Sequence, residues 1–151
     1  MKICKVCKKG YYERESDLKK ELSKIKNLNQ IENHLRLVLQ NLWQPKREIS
    51  VGYESIDLLC YKQSELFVIE LKCFRGTYNA FAQILNYILQ IQKKLPGLIK
   101  RYKKIRGVII AHHISESLAD LVAEYTNNLP QIDLMEYHLD TEGQLIVVRY
   151  F

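Results

Sequence analysis

Leu66-Phe67-Val68-Ile69-Glu70-Leu71-Lys72 is the stretch on which the fold of this chain turns. It opens as an apolar run with aromatic and β-branched side chains, the composition of a strand. Alternation sends Phe67, Ile69 and Leu71 to one face and Val68, Glu70 and Lys72 to the other. An acid and a base therefore share one face at the end of a strand that otherwise excludes charge. Both groups need partners there. Just upstream, Ser55–Tyr61 (SIDLLCY) reads as a second strand. The polar link Lys62-Gln63-Ser64-Glu65 is short enough to make the two an antiparallel hairpin. Asp57 on that strand is the candidate partner.

Working outward, residues 77–94 form a long helix with Thr77 as its candidate N-cap, closed by Pro96-Gly97. Arg106–Ala111 (RGVIIA) is nearly continuous in apolar residues, which suits a strand buried on both faces. Ser115–Tyr125 is a helix with Ser115 as candidate cap. Ile132–His138 and Gln144–Tyr150 are strands around a Thr141-Glu142-Gly143 turn. Toward the N-terminus, residues 30–43 form the first strong helix. Ile31, Leu35, Val38, Leu39 and Leu42 fall on one stripe, and Pro45 ends it. Lys46–Val51 is strand-like and leads into a Gly52-Tyr53 turn. Residues 13–28 are charged and weakly amphipathic through Leu18, Leu22 and Ile25, with Asn27 and Asn29 interrupting. Residues 1–12 read as a basic tail. The order α-β-β-β-α-β-α-β-β predicts an α/β fold, a layered sheet with helices on its faces. Its 151 residues make one domain, with a basic N-terminal segment (1–29) ahead of the main body (30–151).

The chemistry lies between Ser55 and Tyr87. Two carboxylates held close resist joint ionisation, and a divalent cation relieves their repulsion. Asp57, Glu70 and the Leu71 carbonyl offer hard oxygen ligands suited to Mg²⁺, with Mn²⁺ as substitute. Water on such a cation becomes a usable nucleophile near neutral pH. Lys72 is placed to orient that water or to stabilise charge on a scissile phosphate. A plain salt bridge at a strand end fits the same residues equally well. On the next helix, Gln83 and Tyr87 stand four apart and share a face. They read either as support for this pocket or as helix surface and aromatic core. Glu32, on the leading helix, is a candidate ligand directly or through water, or a solvated carboxylate.

Taken in order, Ser55-Ile56-Asp57-Leu58-Leu59, Val68-Ile69-Glu70-Leu71-Lys72 and Gln83-x-x-x-Tyr87 resemble the PD-(D/E)XK nuclease superfamily. The Q-x-x-x-Y element points to its RecB-like branch. Within it the chain resembles the catalytic domain of NucS/EndoMS-type endonucleases, over roughly residues 30–138. Glu32-x-x-Leu35, Arg47-Glu48 and Arg106–Ala111 add to the likeness. The resemblance implies a restriction-endonuclease-like core, a central mixed β-sheet flanked by helices, with residues 30–151 as the nuclease domain. It assigns Asp57 and Glu70 to metal, Lys72 to catalysis, Glu32 to metal or its water, and Gln83 and Tyr87 to site support. The implied activity is a Mg²⁺-dependent deoxyribonuclease, an endonuclease hydrolysing phosphodiester bonds in branched or single-stranded DNA. The alternative is a nuclease-fold DNA-binding accessory module with weak or no cleavage. Ile56 stands where the superfamily's proline precedes the motif aspartate. The N-terminal domain that NucS-type proteins use for dimerisation has no counterpart in residues 1–29, so a homodimer stays open.

Charge on its own reads first as a solvated, soluble surface, and its uneven spread also suits a polyanion partner. There are 23 Lys+Arg against 17 Asp+Glu, a net +6. Seven basic residues and no acid lie between Lys93 and Arg106, and four lysines and no acid lie in residues 1–10. Arg47, Lys100, Arg101, Lys103 and Lys104 are the expected phosphate ligands, with this stretch beside the pocket. Tyr102 among them either stacks on an unpaired base or packs. No apolar run approaches the ~18 residues of a membrane span, and the N-terminus has no apolar signal core, so a cytoplasmic location is expected.

Four cysteines form no disulfide framework. Cys60 and Cys73 sit singly in apolar segments, as small hydrophobes. Cys4 and Cys7 make a single CxxC. A zinc knuckle needs two such pairs or added histidines, so zinc is disfavoured and a floppy terminal remnant favoured. Completion by another chain or by a histidine of this one, giving a zinc-assisted interaction protein, is the remaining reading. His112 and His113 are adjacent on an extended segment and point opposite ways, which argues against a site shared by the two.

Overall fold

The computed structural model describes residues 1–34, 44–46, 50–51, 54–62, 64–102, 104–125 and 130–150. In chain order, β1 (Lys2–Ile3) and β2 (Gly10–Tyr11) precede α1 (Glu15–Leu22) and α2 (Ile25–His34). Next come β3 (Gln44–Lys46), β4 (Ser50–Val51), β5 (Glu54–Ser55), β6 (Leu58–Lys62) and β7 (Glu65–Gly76). Then follow α3 (Tyr78–Lys94), α4 (Pro96–Arg101), β8 (Lys104–Ile114), α5 (Glu116–Tyr125), β9 (Ile132–Leu139) and β10 (Leu145–Arg149).

Eight strands make one mixed sheet in the order β1-β2-β9-β8-β7-β6-β3, with β10 also paired to β9. β7, β8 and β9 run parallel to one another, β6 pairs antiparallel with β7 in the expected hairpin, and β2 and β10 pair antiparallel with β9. The two parallel crossovers step across the sheet in one direction, so their helices share a face. Ala80, Ile84, Tyr87 and Ile88 of α3 and Leu118 and Val122 of α5 pack there on Val68, Ile109 and Ala111. Leu18 and Leu22 of α1 and Leu28 and Ile31 of α2 cover the other face, on Phe67, Ile69, Leu71, Val108 and Ile110. Residues of β8 thus enter both cores, as its continuous apolar run requires. The fold is the expected α/β sheet between helical layers.

Several boundaries differ from the expected ones. Residues 1–12 are not a loose tail: β1 and β2 form a hairpin whose Gly10 pairs with Leu139 of β9. The first helices break at Ser23-Lys24 rather than at Asn27 and Asn29. Ser23 Oγ donates to the Lys19 carbonyl at 2.7 Å, and Asn27 Nδ2 donates to the Glu21 carbonyl at 2.6 Å. Asn27 thus satisfies the open end of α1 instead of breaking a helix. α2 runs through the 29/30 boundary. Its Gln30 donates to the Leu145 carbonyl at 2.9 Å and accepts the Val147 N–H at 2.8 Å, which blunts the β10 edge. The rest of the expected 30–43 helix lies outside the described residues beyond His34.

The expected Lys46–Val51 strand appears only as the end of β3 and as β4, with 47–49 and the Gly52-Tyr53 turn outside the described residues. α3 ends at Lys94 with Leu95 as its C-cap, directly ahead of Pro96-Gly97 as expected, and the same pair opens α4, because proline is well suited to a first helical turn. Thr77 is the N-cap of α3 by position, but its side chain makes no cap bond. Ser115 does cap α5, its Oγ accepting the Leu118 N–H at 3.2 Å.

Candidate active site and a thiol–imidazole cluster

The β6–β7 register pairs Leu58 with Ile69. One further step would set Asp57 opposite Glu70. The expected Ser55–Tyr61 strand is interrupted there: β5 ends at Ser55, Asp57 lies in a bend, and β6 begins at Leu58. The reason is local. Asp57 Oδ2 accepts the Leu71 N–H at 2.9 Å, so a side-chain oxygen stands in for the next ladder carbonyl. That bond turns the Asp57 carboxylate toward Glu70.

Glu70 is only 3% exposed, on the face of β7 that α3 covers. Its Oε1 receives the Lys72 ammonium at 3.1 Å. Its Oε2 is buried with no hydrogen-bond partner among the described residues. Burial first, and the Asp57 charge second, push the Glu70 carboxyl up to about 7 against the opposing pull of Lys72. The arrangement is two carboxylates from adjoining segments, an ammonium alongside, and an oxygen lone pair without a donor. Such an oxygen pair fits a hard dication, which would supply the missing partner of Oε2 and relieve the repulsion.

The other expected site residues distribute unevenly. Gln83 sits on α3 between Ala80, Ile84 and Tyr87, all buried in the core against the sheet. Its Oε1 is likewise buried without a hydrogen-bond partner among the described residues. Glu32 lies in α2, but its side chain is outside the described residues, as are Arg47 and Lys103 entirely. Lys100 and Arg101 are exposed at the end of α4. The basic stretch is not beside the Glu70 group. Lys104 pairs in register with Glu65, five residues before Glu70 on β7; at the usual strand rise that is roughly 17 Å away. The helix α3 returns antiparallel to β7 and delivers the basic residues to the far end of the strand.

Some of that charge is also neutralised internally. Arg106 is buried between Asp133 at 2.9 Å and Glu65 at 3.4 Å, and Lys104 lies 3.9 Å from Glu65. Tyr102 is buried with its ring 5.5 Å from that of Tyr61, so it packs rather than offering a face to a base.

A second constellation was only half legible in the sequence. Cys4, Cys7 and His112 place their ligand atoms within 4.8 Å of one another. The Cys4 thiol is held down at about 6, chiefly by the Cys7 backbone N–H and next by the His112 ring. His112 is buried, whereas His113 is exposed on the opposite face, 3.8 Å from Glu136. The two histidines do diverge. Cys60 is a buried hydrophobe, its thiol pushed up to about 12 by burial, while Cys73 is only partly buried. The CxxC spacing was the available signal for the cluster. Its pairing with His112, 105 positions away, is visible only in three dimensions.

The family model for the Endonuclease NucS C-terminal domain matches residues 17–144. The chain belongs to the NucS C-terminal domain family. Among solved structures, this NucS-family chain is similar to a repair endonuclease from Pyrococcus abyssi, with a TM-score of 0.57 and 19% identity over 82% of this chain. It is also similar to the protein of an EndoMS-dsDNA2 complex, with a TM-score of 0.55 and 16% identity over 81% of this chain. It spans 46% and 44% of those two chains, respectively. No curated protein matches it. At such identities the structural likeness establishes the fold, and function rests on the site. No helix among the described residues is long and apolar enough to cross a membrane.

Proposed function

We propose that this NucS-family domain is a metal-dependent DNA endonuclease with a PD-(D/E)XK-type site, acting as a phosphodiester hydrolase. The observation that carries the proposal is the convergence of Asp57 and Glu70 with Lys72, with Glu70 Oε2 buried and without a hydrogen-bond partner among the described residues. Asp57 and Glu70, with the Leu71 carbonyl, are the residues that would hold Mg²⁺ or Mn²⁺, and Glu32 is a further candidate. A bound dication would supply charge neutralisation and a more acidic water. Lys72 Nζ would orient an attacking water and face the charge that develops on the phosphate. Its bond to Glu70 keeps the ammonium at the strand end rather than free in solvent. Gln83, whose Oε1 is buried without a hydrogen-bond partner among the described residues, and Tyr87 are the candidates on α3 for support of the site.

Lys100 and Arg101 are exposed cations at the far end of β7, suited to phosphates several base pairs from the scissile one. The substrate class is DNA, with branched and single-stranded forms the first to test.

The test is cleavage of supercoiled, single-stranded and flap DNA with Mg²⁺ or Mn²⁺, comparing the chain with Asp57→Ala and Glu70→Ala. Metal-dependent cutting lost in both variants is expected. Cutting undiminished in both would reject the assignment. Salt-dependent DNA binding with no cutting would identify an accessory binding module instead.

A further inference from the structure

The β1–β2 hairpin brings Cys4 and Cys7 to the end of β8. Cys4 N–H donates to the Lys9 carbonyl at 2.9 Å, and Lys8 N–H to the Cys4 carbonyl at 3.0 Å. Between them Lys8 is held at φ 62°, a left-handed conformation that costs a lysine about 1 kcal/mol. The tight turn sets both thiols against His112, whose side chain alternates with Val108 and Ile110 toward the α1–α2 face of the sheet.

The tautomer of His112 is fixed by its partners. Nδ1 lies 3.1 Å from the Tyr137 carbonyl, which can only accept, so Nδ1 carries the proton. The lone pair of Nε2 then faces Cys7 Sγ at 3.4 Å. A backbone carbonyl behind the ring nitrogen that does not bind metal is the usual outer support of a metal-ligating histidine. Ring contacts from Tyr11 at 5.0 Å and Phe74 at 5.7 Å hold the imidazole in place. A tetrahedral zinc with ordinary bond lengths would put sulfur and nitrogen ligands roughly 3.6 Å apart. The observed separation is within about 0.2 Å of that. Cys7 is exposed, so a fourth position stays open to water.

We infer that Cys4, Cys7 and His112 form a zinc site that fastens the N-terminal hairpin to the end of β8. Two thiolates and one imidazole favour Zn²⁺ over Mg²⁺ or Ca²⁺. The site uses none of Asp57, Glu70 or Lys72, whose group lies on the α3 face of the sheet. The metal fixes residues 1–11 against β9 and holds His112 against Tyr137. Tyr137 Oη in turn donates to the Cys73 carbonyl, one residue past Lys72.

The experiment is metal loading of the full chain, purified with reductant and stripped by chelator. Zinc content and the Co²⁺ absorption spectrum are measured for the wild type, Cys4→Ser, Cys7→Ser and His112→Gln. About one Zn²⁺ per chain is expected, with a thiolate-to-cobalt charge-transfer band that is lost in each serine variant. His112→Gln should bind at least tenfold more weakly. Should a variant fail to fold, amide exchange of residues 2–11 in the wild type, with and without Zn²⁺, carries the test: protection must rise on loading. Less than about half an equivalent bound, a cobalt spectrum without the thiolate band, no gain in protection, or a Cys4–Cys7 disulfide under reductant would overturn the inference. Asp57→Ala should load zinc as the wild type does.

Discussion

Replacing Glu70 by glutamine should raise stability at alkaline pH and leave it unchanged in acid. Glu70 titrates near 7 in the folded chain and near 4.5 when unfolded, because burial and the Asp57 charge both oppose its ionisation. The native state therefore holds a proton that the unfolded state has released between those values. Stability falls as pH rises through that window, and the loss is complete above about 7. At about 1.4 kcal/mol per pH unit, the window sets an upper bound of roughly 3.5 kcal/mol. Glutamine removes this penalty but gives the Lys72 ammonium a weaker acceptor, which takes back about 1 kcal/mol. The expected gain at pH 8 is about 2 kcal/mol, or roughly 4–8 °C in Tm for a domain of this length. Thermal unfolding followed by circular dichroism at pH 4 and pH 8, without divalent cations, measures it. Adding Mg²⁺ at pH 8 should raise the Tm of the wild type and not that of the variant. A variant less stable than wild type at pH 8, or a shift of equal size at both pH values, would refute the account of the site.

Gly107 lies where β8 meets α3, and a Cβ there would come within 2.8 Å of Ile84 Cγ2 and 3.2 Å of Ile132 Cγ1. Gly107→Ala should cost about 1–3 kcal/mol in urea unfolding, through overpacking in a β-branched core. Arg106→Ala strips the guanidinium from between Asp133 and Glu65 and should destabilise by about 3–5 kcal/mol, whereas Arg106→Ala combined with Asp133→Asn should recover part of the loss. Tyr137→Phe removes a hydroxyl that accepts the Tyr12 N–H at 3.0 Å and donates to the Cys73 carbonyl. It should cost about 2 kcal/mol and speed amide exchange at Tyr12.

Much of the fold was readable because its signals are local. The alternation in Leu66–Lys72 fixed which face of β7 carries Glu70 and Lys72, and the two cores divide along that line. The continuous run in β8 announced a strand covered on both sides, and Ser115 marked the start of a helix. Asn27 misled for an equally physical reason. Propensity makes asparagine a helix breaker, but here its amide satisfies the end of the preceding helix.

By itself the sequence determined the alternation of strands and helices, the shared face of Glu70 and Lys72, and Asp57 as their candidate partner. These follow from backbone periodicity and the length of one link, which are properties of neighbours in the chain. Only the tertiary structure decided which end of β7 receives the basic residues, that Arg106 is spent on Asp133 and Glu65, and that His112 faces two thiols from the opposite end of the chain. Those outcomes depend on strand order and register across the sheet, and contacts between distant residues leave no period in the sequence from which to read them.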